Sequence, residues 1–154
     1  MTAASSTSPA RKVLLIEDDL SLGELLVLCL TRHSNVTVSW FVRARLSAES
    51  QDLVLMDADG KEVVFNAQSL VSDFDLAFVD YRLKMSTLSG VEVTRKLASA
   101  KLASAKLKVV ASSGLFSLND ELIAAGASCA IDKDKIMGRA LKEADFVEKL
   151  CSAE

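Results

Sequence analysis

The chain has 154 residues, half of them apolar, which suits a single domain with an ordinary core. Its formal net charge of −3 gives no electrostatic reason for nucleic-acid binding, and no apolar run approaches the roughly 18 residues that cross a membrane. The three cysteines, Cys29, Cys129 and Cys151, are widely spaced and odd in number. They read as reduced thiols of a cytoplasmic protein rather than a disulfide frame or a zinc site.

The first segment, residues 1–11, is small and polar and reads as a disordered leader with no secretory signal. The folded domain is expected over 12–151. "KVLLI" (12–16) is a continuous apolar strand ending in Glu17-Asp18-Asp19, and "LGELLVLCL" (22–30) is dense enough in apolar residues to be a packed helix. His33, the only histidine, lies in a polar "TRHSN" at that helix's end and has no second histidine to form a metal pair. "VTVSWFV" (36–42) is β-branched and aromatic, hence a strand.

A helix is due next, but "DLVLMDADGKEVVFNAQSL" (52–70) has two strand-like runs around "DADGK", a turn signal. A β-hairpin inserted at about 50–70 is expected, leaving at most a short second helix near 66–72. "DADG" lacks the further ligands and the distal glutamate of a calcium loop, so it reads as a plain turn.

"DLAFVD" (75–80) is a strand, followed by a helix over about 90–105. The five-residue repeat in "KLASAKLASAKLK" (96–108) rotates by 140° per step on a helix, so Leu97, Leu102 and Leu107 share no face. It marks a helix running into the next strand rather than an interaction motif. "LKVVAS" (107–112) and "SCAID" (128–132) are the remaining strands. Helices are expected over 118–125, closed by Gly126, and over 135–150. Strands apolar throughout and interleaved with helices indicate a doubly wound α/β domain, its parallel sheet covered on both faces.

In such a sheet the C-terminal strand ends converge on one edge, where ligands bind. Glu17, Asp18 and Asp19 meet Asp80, Ser112, Ser113 and Gly114, and Asp132 and Lys133 there. Asp80 follows a core strand, where an ionised carboxylate needs a partner. Several carboxylates without histidine or cysteine suit a hard cation such as Mg²⁺. A lysine and a hydroxyl beside it suit a phosphoryl group, and an aspartate nucleophile there gives an aspartyl phosphate.

With these residues in place, the sequence resembles the receiver domain of two-component response regulators, the chemotaxis-receiver type. "VLLIEDD" is similar to the acidic first-strand motif, "LAFVDYRL" to the phosphoacceptor strand, "VVASSG" to the switch strand and "GASCAIDK" to the lysine segment. The resemblance implies a flavodoxin-like five-stranded parallel sheet of order 2-1-3-4-5, here with the hairpin replacing or shortening the second helix. It makes Asp80 the phosphoacceptor, with Asp18, Asp80 and the backbone carbonyl of Arg82 holding Mg²⁺ and Glu17 acting through water. Ser113 and Lys133 would bind the phosphoryl group. Lys84 stands where the family often has proline, Gly90 lies two residues late, and Asp134 replaces the proline after the lysine. Ala130 takes the place of the aromatic switch residue, which removes the usual relay partner of the Ser113 hydroxyl but not the phosphorylation chemistry.

The function expected is that of a phosphoacceptor signalling domain rather than an enzyme acting on an outside substrate. A histidine kinase or phosphotransfer protein would be the donor, a downstream effector protein the reader, and a homodimer stays open. The alternative is a receiver-like interaction module that works without phosphorylation. A haloacid-dehalogenase type phosphatase would need a second carboxylate two residues after Asp80, where this chain has Arg82. No glycine-rich nucleotide motif is present.

Overall fold

The structure, a computed structural model, describes residues 10–32, 35–101, 107–113 and 116–152. Most of the predicted leader lies outside them, as do His33, Gly114 and residues 102–106 of the repeat. In chain order the first elements are β1 (Arg11–Ile16), α1 (Leu20–Thr31), β2 (Val36–Phe41), β3 (Arg43–Leu46), β4 (Leu53–Met56), β5 (Glu62–Phe65) and α2 (Ala67–Asp73). There follow β6 (Leu76–Val79), α3 (Gly90–Lys101), β7 (Lys108–Ala111), α4 (Phe116–Ala124), β8 (Cys129–Ala130), α5 (Lys133–Lys142) and α6 (Phe146–Ser152).

Five parallel strands lie in the order β2-β1-β6-β7-β8. Counted among themselves, that is the expected 2-1-3-4-5. Alternate residues of β1 and β6 feed the two faces of the sheet. Leu14, Ile16, Ala77 and Val79 enter one buried cluster, and Val13, Leu15, Leu76 and Phe78 enter the other. Both faces are covered, so these strands have no polar face to alternate with. Asp75, at the start of β6, is buried but answered: its carboxylate accepts the Lys12 N–H at 2.9 Å and lies 3.8 Å from the Arg11 guanidinium.

The insertion is larger than a hairpin. β4 and β5 pair antiparallel across the predicted turn, but β3 joins them from the other side, so a three-stranded sheet begins at Arg43. The short run "RARL" gives no strand signal by itself; it becomes a strand because β4 offers it a ladder. In the turn, Asp57 Oδ1 accepts the Asp59 and Lys61 N–H groups at 3.0 and 2.9 Å, and Gly60 takes φ +86°. These local bonds account for "DADGK" as a turn. The inner face of the insertion (Ala44, Leu53, Leu55, Phe65) belongs to the same core cluster as α2 and α3, with Phe65 between Phe41 and Phe74 at centroid distances of 5.9 and 5.6 Å. The second helix is shortened, not lost: α2 has seven residues, capped by Asn66.

Two further expectations are corrected. The helix predicted over 135–150 is broken at Glu143, whose backbone is extended and whose carboxylate bonds Arg139 and Lys149 at 2.7 and 2.8 Å. The break turns Phe146 inward, to 1% exposure. The last strand is two residues long instead of five, because Ile131 makes only one more bond to β7 before Asp132 begins the turn into α5. Gly126 closes α4 as expected, at φ +120°. Among the described residues no helix is long and apolar enough to cross a membrane, and Cys29, Cys129 and Cys151 are all free thiols.

Phe78 sits in the central strand at 1% exposure. Phe78→Ala is expected to cost about 3–5 kcal/mol of unfolding free energy, read as a lower midpoint in urea with an unchanged slope.

Candidate functional site

At the C-terminal edge of the sheet the ends of β1, β6, β7 and β8 surround a crevice of about 590 Å³. Its floor comes from the strand ends. Glu17 follows β1 and is fully buried, Asp80 follows β6 at 5% exposure, and Lys133 opens α5 directly after β8. The Lys133 ammonium lies 2.6 Å from Glu17 Oε2 and 3.0 Å from Asp80 Oδ1. Asp18 completes the group: ligand oxygens of Glu17, Asp18 and Asp80 lie within 4.8 Å of one another. Asp19, not Asp18, caps α1, accepting the Leu22 N–H at 2.9 Å. Asp18 therefore stays in the crevice, where its Oδ2 accepts the backbone N–H of Lys84 at 2.7 Å.

Three carboxylates against one ammonium leave two negative charges in excess, the charge of one divalent cation. The donor set of oxygens, without soft ligands, fits Mg²⁺ or another hard cation. The strain of that excess shows in the proton affinities. Burial pushes the Glu17 carboxyl up to about 7, against the opposing bond from Lys133, and the Asp80 charge adds to the rise. Burial also raises Asp80; Lys133 opposes, and the charge of Asp18 reinforces. Burial pulls the Lys133 ammonium down, but Glu17 and Asp80 outweigh it and hold it above its ordinary value.

The remaining expected residues fall as follows. Arg82 and Lys84 line the crevice rim. Of the two serines, both buried, Ser113 lines the crevice and Ser112 does not. Ala130 is half-buried beside a separate groove of about 490 Å³ that it shares with Asn119, Ile123 and Cys129. An aromatic ring at position 130 would occupy space that this short side chain leaves open.

Three residues of the site, Trp40, Asn119 and Glu121, are not legible in the sequence. The Trp40 indole N–H donates to the Glu17 carbonyl at 2.8 Å, and its ring lies against Gly23 of α1, where any Cβ would collide with it. Asn119, at 4% exposure, accepts the Ser113 backbone N–H at 3.1 Å. Glu121 accepts the Tyr81 hydroxyl at 2.7 Å, which ties the residue after Asp80 to α4. Gly90 packs so closely on the backbone carbonyls of Asp80 and Tyr81 that no side chain fits there. The Trp40 and Glu121 contacts join elements far apart in the chain, and no spacing announces them; the Asn119 partner lies only six residues away.

The doubly wound sheet carries an acidic pair after its first strand, a lone aspartate after its third and a lysine after its fifth. The fold is that of response-regulator receiver domains. NtrX from Brucella abortus in complex with ATP aligns over 91% of this chain and 29% of its own, with 19% identity and a TM-score of 0.55. This chain thus spans under a third of NtrX. A response regulator from Burkholderia pseudomallei, solved with a phosphorylated aspartic acid, calcium ion and citrate, aligns over 90% of this chain and 71% of its own, with 16% identity and a TM-score of 0.55. The response regulator domain of Thermotoga maritima CheB aligns over 94% and 98%, with 14% identity and a TM-score of 0.57. At these identities the likeness is one of fold. No family model matches the sequence, and no curated protein matches it.

Between the ordinary carboxylate pKa and about 7, the folded metal-free protein holds a proton on Glu17 that the unfolded chain has released. Stability therefore rises as pH falls through 7, by up to about 3 kcal/mol from this group. Denaturant unfolding of metal-free protein at pH 8 and pH 5 checks it: wild type is expected to gain stability on acidification, and Glu17→Gln to lose most of that gain.

Proposed function

We propose that the protein is a phosphoacceptor receiver domain of a two-component signalling system, phosphorylated on Asp80. The observation that carries this reading is the buried Asp80 carboxylate, grouped with Glu17 and Asp18 and 3.0 Å from the Lys133 ammonium. A carboxylate oxygen of Asp80 attacks the donor phosphorus while the donor's P–N bond, or the P–O bond of an acyl phosphate, breaks. The product is an aspartyl phosphate, and the leaving group departs with the bonding pair. Lys133 then faces the new phosphoryl oxygens, and the Ser113 hydroxyl is the neighbouring hydrogen-bond donor. Asp18, Asp80 and the Arg82 carbonyl would hold Mg²⁺, with Glu17 acting through water; the ion supplies neutralisation of the charge gathered at the crevice. The phosphorylated aspartic acid and calcium ion of the Burkholderia pseudomallei regulator support this assignment by analogy of fold.

The domain acts in signalling, not on an external substrate, and the cytoplasm is the compartment that fits its three free thiols. A histidine kinase or phosphotransfer protein is the donor and a separate effector, or a second copy, reads the state. Signalling then consists of shifting a pre-existing equilibrium by the phosphoryl group. The second reading, an interaction module indifferent to phosphate, is favoured by Ala130, by the missing proline and by the inserted sheet: binding to a partner would then survive Asp80→Asn unchanged.

Incubation with Mg²⁺ and phosphoramidate, followed by intact-mass measurement, is expected to show one added phosphoryl group on wild type and none on Asp80→Asn. An equal gain on the variant, or no gain on wild type, overturns the assignment. Asp18→Asn is expected to raise the Mg²⁺ concentration for half-maximal phosphorylation on the order of tenfold or more.

A further inference from the structure

The loop between Asp80 and α3 carries the crevice's rim, and its far side is fastened to the inserted sheet. The fastening is a closed pair of hydrogen bonds at one residue. The Ser86 hydroxyl accepts the Ala44 backbone N–H at 2.8 Å and donates to the Ala44 carbonyl at 2.7 Å. The Leu88 N–H reaches the same carbonyl at 3.2 Å, and the Thr87 hydroxyl at 3.3 Å. Ala44 is 2% exposed in β3, the edge strand of the insertion, so its outward backbone groups are met by this loop instead of by another strand. Two residues before Ser86, the Lys84 N–H donates to Asp18 Oδ2 at 2.7 Å. Between them Met85 takes a left-handed backbone, φ +58°, which a methionine adopts only where its neighbours fix it.

We infer that Ser86 is a positioning residue for the cation site. It anchors the acceptor loop to β3, and the anchored loop presents the Lys84 N–H that orients Asp18. This rests on the proposed reading of the crevice as a Mg²⁺ and phosphoryl site, and it assigns the inserted sheet a part in that site: a fixed wall on which the metal-binding loop is set. Ser86 touches neither cation nor phosphoryl group. Its effect runs through the Ser86–Ala44 pair to the backbone of Lys84 and from there to the Asp18 carboxylate. Without the hydroxyl, the loop keeps only the Leu88 and Thr87 bonds to Ala44, both C-terminal to Met85, and the Lys84 N–H loses its fixed direction.

The experiment compares wild type, Ser86→Ala and Ser86→Thr by two measurements. Amide exchange by NMR on the metal-free protein reads Lys84 and Leu88 directly, while the amides of β4 and β5 in the same spectra report that the insertion is folded. Titration with Mg²⁺ followed by the fluorescence of Trp40, the sole tryptophan and bonded to Glu17, reads the site. Ser86→Ala is expected to exchange faster at Lys84 and to weaken Mg²⁺ binding on the order of tenfold, because the Asp18 carboxylate loses the fixed donor that orients it. Ser86→Thr keeps the hydroxyl and is expected to stay near wild type in both. An unchanged Lys84 exchange rate in Ser86→Ala overturns the inference, and so does faster exchange with unchanged Mg²⁺ affinity. Wild type that binds no Mg²⁺ overturns the reading of the crevice as well, and that result appears in the wild-type titration alone.

Discussion

The short contacts from one lysine to two carboxylates set the terms for everything around them. Glu17 and Asp80 are buried ends of neighbouring parallel strands, and among the described residues Lys133 is the one cation that reaches both. Alone, neither carboxylate is tolerable so far from water; together with Asp18 they still outnumber the lysine. Burial raises the Glu17 carboxyl to about 7, so a proton there can remove one of the two excess charges, whereas a divalent cation can remove both. Proton and cation are therefore alternatives for the same excess charge. Under the proposed function, a phosphoryl group would bring more negative charge and so would call for the cation.

The fold delivers these groups by simple means. A parallel sheet aligns its C-terminal ends, and the connections after β1 and β8 are short enough to leave little freedom for the residues past the strand. Local details then decide which carboxylate is available: Asp19 takes the helix cap, and so Asp18 faces the site. On the other side, α4 is held to the site by two polar bonds, Asn119 to the Ser113 backbone and Glu121 to the Tyr81 hydroxyl. Neither involves position 130. Whatever passes from the crevice to α4 has these links at its disposal despite the missing ring.

Much of this was readable from the residues. Apolar runs ending in carboxylate, hydroxyl or lysine placed four of the five parallel strands and six candidate site positions, because a strand buried on both faces leaves an unmistakable run. The short pieces were not readable. "RARL" has no strand pattern and owes its form to β4; β8 keeps two residues, with Ile131 making one more bond to β7 before Asp132 begins the turn into α5. The 135–150 helix looked continuous because its break at Glu143 comes from ion pairs and the inward turn of Phe146, not from glycine or proline. Trp40 and Glu121 are invisible for the same reason: their partners are set by the packing of distant elements.

The insertion has a consequence for how such a chain can change. Its inner face is continuous with the core over α2 and α3, and its edge strand is covered by the loop that follows Asp80. That loop is two residues longer than the receiver pattern by the position of Gly90, and Gly90 itself cannot shift or gain a side chain against the backbone of Asp80. Sheet and loop thus form one structural unit. Deleting the sheet would leave a slack loop over the site, and trimming the loop would bare the edge of β3. Neither length can be changed without a matching change in the other.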